Sequence, residues 1–238
     1  MREALAWAAD GRGQVHELFV TEVAAGRNQD LLHAAGAAGI RVSEITERAA
    51  EGLSETVTPQ GVIAVCDRVE VSLADALASS PKLVAVLVGI ADPGNAGTVV
   101  RVADAAGADA VIFAGDTVDV HNGKCVRAST GSVFHLPIAR SRDTATVLQA
   151  CAAAELRLVA ADGNTDSDLD AAEDRGELAA PTAWLFGSEA HGVPADVLAA
   201  ADTALKVPIH GAAESLNLAT AAAVCLYASA RAQRRTAR

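Results

Sequence analysis

The chain has 238 residues, a formal net charge of −11, 51% hydrophobic residues and only 3% aromatics. That apolar share excludes a disordered chain and leaves Ala, Val and Leu to build the interior. No apolar stretch reaches the ~18 unbroken residues of a membrane span, and Met1 to Leu5 lacks the basic-then-apolar plan of a signal peptide, so a cytoplasmic protein with no membrane partner is expected.

In chain order, residues 1–78 read as a small α/β unit, possessing a short helix, a strand over His16 to Thr21, a helix over Gln29 to Ala38, and strands over Arg41 to Ile45 and Gly61 to Cys66. The join is expected within Val71 to Pro81, where Ser79-Ser80-Pro81 breaks the pattern. From residue 79 to 238 strands alternate with helices. Leu83 to Ile90 is a continuous apolar run, as in a strand buried on both faces. A helix over Asn95 to Ala106 ends at Gly107, and a strand follows over Ala110 to Ala114. Arg127 to Gly131 reads as a helical turn and Val133 to Leu136 as a short strand. Asp143 caps a helix to Ala154, and Leu156 to Ala161 and Thr182 to Phe186 are strands flanking a polar segment with a short helix. Pro194 opens a helix to Ala200, Leu205 to Ile209 is the last strand, and Leu218 to Arg234 is a long Ala-rich closing helix. Such alternation predicts a doubly wound, mostly parallel sheet covered on both faces.

The cysteines are Cys66, Cys125, Cys151 and Cys225. They form no C-x-x-C pair, and no His stands at ligand spacing from one, so buried thiols are expected, with no metal site and no disulfide framework. The acidic total argues against nucleic acid, but the charge is unevenly spread. Thr117 to Arg142 holds Lys124, Arg127, Arg140 and Arg142 against Asp119, and Thr203 to Arg238 holds Lys206, Arg231, Arg234, Arg235 and Arg238 against Glu214. A basic face on an acidic protein fits this distribution, as does a solvated surface with no partner.

Three polar clusters end strand-like runs: Asp92-Pro93-Gly94-Asn95-Ala96-Gly97 leading to Arg101, Gly187-Ser188-Glu189-Ala190-His191-Gly192, and Glu214-Ser215-Leu216-Asn217. Loops at the carboxyl ends of parallel strands are where open α/β sheets bind ligands. No G-x-G-x-x-G follows the first strand, and there is no Walker-type loop and no G-x-S-x-G elbow, so dinucleotide, nucleoside-triphosphate and serine-hydrolase readings lose their warrant. Taken singly, each cluster has a plain structural reading. Asn95 sits where an N-cap belongs, Arg101 suits a surface, Glu189 an ordinary turn, and Ser215 or Asn217 could cap the last helix.

Together the clusters closely resemble the SpoU, or TrmH-type, branch of the SPOUT RNA methyltransferases. Asn95-Ala96-Gly97 with Arg101-Val102-Ala103 matches the family's first motif. Leu185-Phe186-Gly187-Ser188-Glu189 with Gly192 and Pro194 matches the second, and Val207-Pro208-Ile209 followed by Glu214-Ser215-Leu216-Asn217 the third. The segment Arg127 to Pro137 resembles the stretch between the first two. The likeness is strong from Leu83 to Arg234 and weaker over residues 1–78, which resemble the family's small RNA substrate-binding domain. Members with that domain carry a further segment before the helix matching Arg2-Glu3-Ala4-Leu5, so the resemblance implies either a trimmed domain or an internal start codon.

The resemblance implies a C-terminal deep trefoil knot, S-adenosylmethionine as methyl donor, and a homodimer with sites at the subunit interface. The donor would meet Thr130, Gly131, Phe186, Gly187, Ile209, Leu216 and Leu218. The implied reaction is methylation of a ribose 2′-hydroxyl, most simply in ribosomal RNA. Transfer RNA is the alternative substrate, and a non-catalytic RNA or cofactor binder that kept the fold is the alternative class. Arg101 is expected at the reacting hydroxyl, binding a phosphate and stabilising alkoxide charge rather than acting as a base, since guanidinium holds its proton. Asn95 and Asn217 would orient Arg101 or the ribose, Ser215 would hold substrate or Asn217, and Glu189 would fix the knot loop or position polar groups, its charge favouring a nearby sulfonium.

Overall fold

The computed structural model describes residues 1–54, 56 and 58–236. They divide into two compact units, Met1–Val69 and Glu70–Arg238.

In the first unit the chain runs α1 (Arg2–Ala9), β1 (Val15–Thr21), α2 (Glu22–Arg27), α3 (Gln29–Ala37), β2 (Arg41–Ile45), α4 (Glu47–Leu53) and β3 (Val62–Cys66). The sheet order is β2-β1-β3, with β1 parallel to β2 and antiparallel to β3. Thr21 ends β1 and caps α2, its hydroxyl accepting from Ala24 N at 3.3 Å. Thr46 does the same for α4, accepting from Ala49 N at 3.2 Å. The short helices α2 and α4 were not expected; each is signalled by a Thr-Glu pair, a cap followed by an acid in the first turn.

The second unit begins with β4 (Glu70–Val71) and α5 (Leu73–Ala76), residues expected in the first unit and the join. They belong here because β4 pairs with β7 (Ile138–Ser141). Between them lie β5 (Leu83–Val88), α6 (Pro93–Ala106), β6 (Ala110–Ala114) and α7 (Gly123–Ser129). After β7 come α8 (Thr144–Ala153), β8 (Arg157–Ala161), α9 (Leu169–Asp174), β9 (Thr182–Phe186), α10 (Ala195–Ala200), β10 (Thr203–Leu205) and α11 (Leu218–Thr236). The sheet is seven-stranded, in the order β10-β8-β9-β5-β6-β7-β4, and every adjacent pair is parallel. Every residue of β5, β6 and β9 is buried, as continuous apolar runs require when helices cover both faces.

Two expectations fail locally. Val133 to Leu136 is not a strand: Ser132–Phe134 forms a 3-10 turn, entered through left-handed Thr130 (φ 54°) and Gly131 (φ 101°), and the strand is β7, starting after Pro137. A short apolar run fits either form, and here the backbone reversal decides. The last strand stops at Leu205 rather than Ile209, because the Lys206 backbone leaves β8 and bonds to Ser167 O and Leu169 N, and Pro208 two residues on has no N–H to give a ladder.

Helix α6 starts on Asp92, not Asn95. Asp92 Oδ1 accepts from Asn95 N at 2.7 Å, and Oδ2 accepts from Lys124 Nζ at 2.7 Å. These contacts hold the Asp92 carboxyl below its ordinary value, the Lys124 hydrogen bond contributing most and the Asn95 N–H next. Gly97 lets α7 cross α6 closely, since a Cβ there would lie 2.2 Å from Cys125 O. Helix α11 packs along α6, and Arg234 Nη2 donates to Ala106 O at 2.9 Å where α6 ends at left-handed Gly107. Inside, Trp184 Nε1 donates to Ser229 Oγ at 2.9 Å, both residues fully buried.

Ser229→Ala strands that indole N–H in the core, so a loss of about 1–3 kcal/mol is expected in urea unfolding, with the slope unchanged. Asp92→Ala is expected to cost about 1 kcal/mol at neutral pH as a lost cap. Because the folded carboxyl is depressed, its contribution is complete above the ordinary value of 3.8 and disappears as pH falls through the folded value. Unfolding titrations of wild type and D92A therefore converge in acid; a gap that holds constant down the acid limb contradicts this role.

Candidate active site

Relieved of capping, the Asn95 side chain reaches across the molecule. Its Nδ2 donates to Glu189 Oε1 in a short hydrogen bond, and its Oδ1 accepts from Asn217 Nδ2 at 3.1 Å. Asn217 in turn opens α11: its Oδ1 accepts from Ala219 N at 2.9 Å and Thr220 N at 3.3 Å. The polarity of this chain is forced. An amide oxygen turned to backbone N–H groups leaves the Asn217 NH₂ facing Asn95, whose oxygen must answer it, so the Asn95 NH₂ meets the carboxylate. One residue from each polar cluster is thereby joined to the others, across sequence separations of 94 and 122 positions.

Glu189 is carried on a tight loop. Gly192 N donates to Ser188 O at 2.8 Å, and Gly192 adopts φ +67°. Gly187 passes so close to this return that a Cβ on it would lie 2.1 Å from Gly192 C and O, which no side chain tolerates.

A cavity of about 820 Å³ opens at the carboxyl ends of β8, β9 and β10. Phe186, Gly187, Ile209, Leu216 and Leu218, all expected to hold a cofactor, line it. So do Glu189, Ser215 and Asn217. Ile209 is 38% exposed, a free apolar surface in the wall. Asn95 joins this group through its hydrogen bonds.

Three expected residues lie elsewhere. Thr130 and Gly131 are not among the lining residues; they form the left-handed turn that ends α7. Arg101 is exposed on α6, six residues past Asn95 and so about 9 Å further along the axis. It is absent from the cavity wall of its own chain and, among the described residues, makes no hydrogen bond or ion pair. Conversely, Asp162, Gly163, Asn164 and Lys206 line the cavity and were not singled out. A polar turn directly after an apolar strand was the available signal, the same signal that marked the other three clusters.

The four cysteines are free thiols. Burial pushes Cys125 up to about 11 and Cys151 and Cys225 up to about 12, so these three stay protonated. At the other edge of the sheet, Glu70, Asp119 and His121 bring one ligand-type atom each within 4.8 Å of the others, and the Arg140 guanidinium acts on Asp119 there.

The wall suits S-adenosylmethionine. Apolar Phe186, Ile209, Leu216 and Leu218 face polar and charged groups, bare Gly187 admits close backbone approach, and the volume falls in the range of about 300–1,000 Å³ of small-ligand sites.

Comparison with known proteins agrees. The SpoU rRNA Methylase family matches residues 82–227, and the RNA 2′-O ribose methyltransferase substrate-binding family matches residues 3–72. The 23S rRNA (guanosine(2553)-2′-O)-methyltransferase RlmP of Bacillus subtilis is 36% identical over 192 residues, 79% of this chain and 72% of that protein. The 23S rRNA (guanosine-2′-O-)-methyltransferase RlmB of Ralstonia nicotianae is 32% identical, covering 86% of this chain and 82% of its own. Among solved structures, the SpoU methyltransferase AviRb from Streptomyces viridochromogenes in complex with AdoMet aligns with a TM-score of 0.82 at 28% identity, over 100% of this chain and 89% of that one. The AdoMet-bound rRNA methyltransferase from Sinorhizobium meliloti aligns with a TM-score of 0.78 at 27% identity, over 97% and 85%. The cavity, the hydrogen-bonded clusters around it and these matches together place the chain in the SpoU methylase family.

Proposed function

We propose that the protein transfers a methyl group from S-adenosylmethionine to a ribose 2′-hydroxyl of ribosomal RNA, in the cytoplasm. The observation that carries this reading is the Glu189–Asn95–Asn217 chain at the cavity, which gathers all three family motifs at one place. The relatives named above, both 23S rRNA 2′-O-methyltransferases, favour ribosomal over transfer RNA.

S-adenosylmethionine, when bound, supplies a methyl group on an already electrophilic sulfonium. Phe186, Ile209, Leu216 and Leu218 hold the adenosyl part and exclude water, while Gly187 offers backbone. Glu189, fixed by Asn95, adds negative charge that suits a cationic ligand. Asn217 and Ser215 orient polar groups of the incoming nucleotide. Arg101 binds the neighbouring phosphate and stabilises the alkoxide forming at the 2′-oxygen; it keeps its own proton, the hydroxyl proton passes to water, and the donor leaves as the neutral thioether.

Arg101 lies outside its own cavity, so it acts on the cavity of a second copy in a homodimer. Support for the dimer comes from α11, where Val224 and Tyr227 are 38% and 40% exposed one turn apart beside α6, with Tyr227 Oη donating to Ala105 O at 3.3 Å. Thr130 and Gly131 keep a cofactor or partner-facing role in the same reading. The chain from β9 to α11 threads a trefoil knot, a reading supported by the likeness to solved SpoU methyltransferases. The first unit binds RNA and the second carries catalysis, with the division at Val69/Glu70 rather than after residue 78.

Subunit mixing tests this directly. R101A and N217A are each expected to be nearly inactive in tritium transfer from the donor to ribosomal RNA. Equal mixing after dissociation restores about a quarter of wild-type activity, because half of the random dimers keep one complete site. A mixture as inactive as its components, with exchange verified, contradicts Arg101 acting in trans. Donor binding with no transfer to any RNA contradicts the enzymatic reading.

A further inference from the structure

Asp162 and Lys206 enter the cavity wall from neighbouring strands. β8 and β10 run in register as Val159↔Thr203, Ala160↔Ala204 and Ala161↔Leu205, and Asp162 N continues the ladder to Leu205 O at 3.1 Å. Asp162 and Lys206 each follow the last pair of that ladder; there the Lys206 backbone turns to the neighbouring loop, its N donating to Ser167 O at 2.9 Å and its O accepting from Leu169 N at 2.9 Å.

Both follow the carboxyl ends of adjacent strands, where an acid and a base could close on each other. These do not. Among the described residues, Lys206 Nζ makes no hydrogen bond or ion pair. Asp162 accepts through Oδ1 alone, from Asn164 N at 3.1 Å and Asn164 Nδ2 at 3.2 Å, which fixes the carboxylate and leaves Oδ2 without a partner. Both residues line the same cavity of about 820 Å³, and Lys206 is the single cation among its lining residues. The two other acids there are Glu189, committed to Asn95, and Glu214, which is exposed.

We propose that Asp162 and Lys206 form a split clamp for the zwitterionic amino-acid end of the methyl donor. The Asp162 carboxylate accepts from the ligand's α-ammonium, and the Lys206 ammonium donates to its α-carboxylate. The proposal rests on the cofactor reading of the cavity and adds the residues that select the amino-acid part. Opposite charges held unpaired just past the ends of adjacent strands match a ligand whose own opposite charges sit on one carbon. Charge-assisted contacts of this kind also fix orientation, which aligns the remainder of the ligand along the apolar wall.

The test is calorimetric binding of three compounds to the full chain: S-adenosylmethionine, its decarboxylated form, and 5′-methylthioadenosine, which lacks the amino-acid end. Lys206→Met is expected to weaken S-adenosylmethionine about tenfold and leave the decarboxylated form unchanged. Asp162→Asn is expected to weaken both of these about tenfold. Methylthioadenosine binds both variants as it binds wild type, which shows an intact pocket. The clamp is overturned if either variant binds S-adenosylmethionine as tightly as wild type, or if a variant weakens all three compounds alike. Wild type failing to bind any of the three sinks the cofactor reading instead.

Discussion

The hydrogen-bond chain from Glu189 through Asn95 to Asn217 is the constraint on which the site depends. Each of its members has a single consistent orientation, because Asn217 must satisfy the first N–H groups of α11 and Asn95 must then present its oxygen to Asn217. Asp92 makes this arrangement available. By capping α6 and pairing with Lys124, it frees Asn95 from a task that its position one turn into the motif would otherwise suggest. Two helix starts and one loop are thus locked by side chains that no local rule brings together.

The remainder of the second unit holds those three points in place. A parallel sheet buried on both faces gives β5, β8, β9 and β10 a common carboxyl edge, and loops leaving that edge converge by geometry. Small residues let the layers close. Gly97 admits α7 against α6, and Gly187 admits the return of its own loop. Helix α11 then ties both ends of the scaffold, through Trp184 and Ser229 in the core and Arg234 at the end of α6.

Much of this was legible in the sequence, for reasons that differ by element. β6 and β9 were placed to the residue because buried parallel strands are unbroken apolar runs bounded by polar turns. α2 and α4 escaped because six or seven residues give too little periodicity, and only their Thr-Glu starts mark them. Val133 to Leu136 misled because local pattern does not encode the reversal at Thr130 and Gly131. Of the site residues, those in Gly-rich loops and at helix starts gathered as expected. Arg101, Thr130 and Gly131 did not join the cavity of their own chain, and a sequence carries no mark of which copy a side chain serves. Asp162 was overlooked because its turn opens a long polar segment and reads as ordinary loop.

A double-mutant cycle between Asn95 and Asn217 tests the central claim most directly, with S-adenosylmethionine affinity as the readout. Wild type, N95A, N217A and N95A/N217A are each titrated with the donor. The hydrogen-bonded chain predicts strong non-additivity, a coupling of about 1 kcal/mol, because the second truncation removes little once the first has broken the link. Additive losses from two residues that never communicate would contradict it.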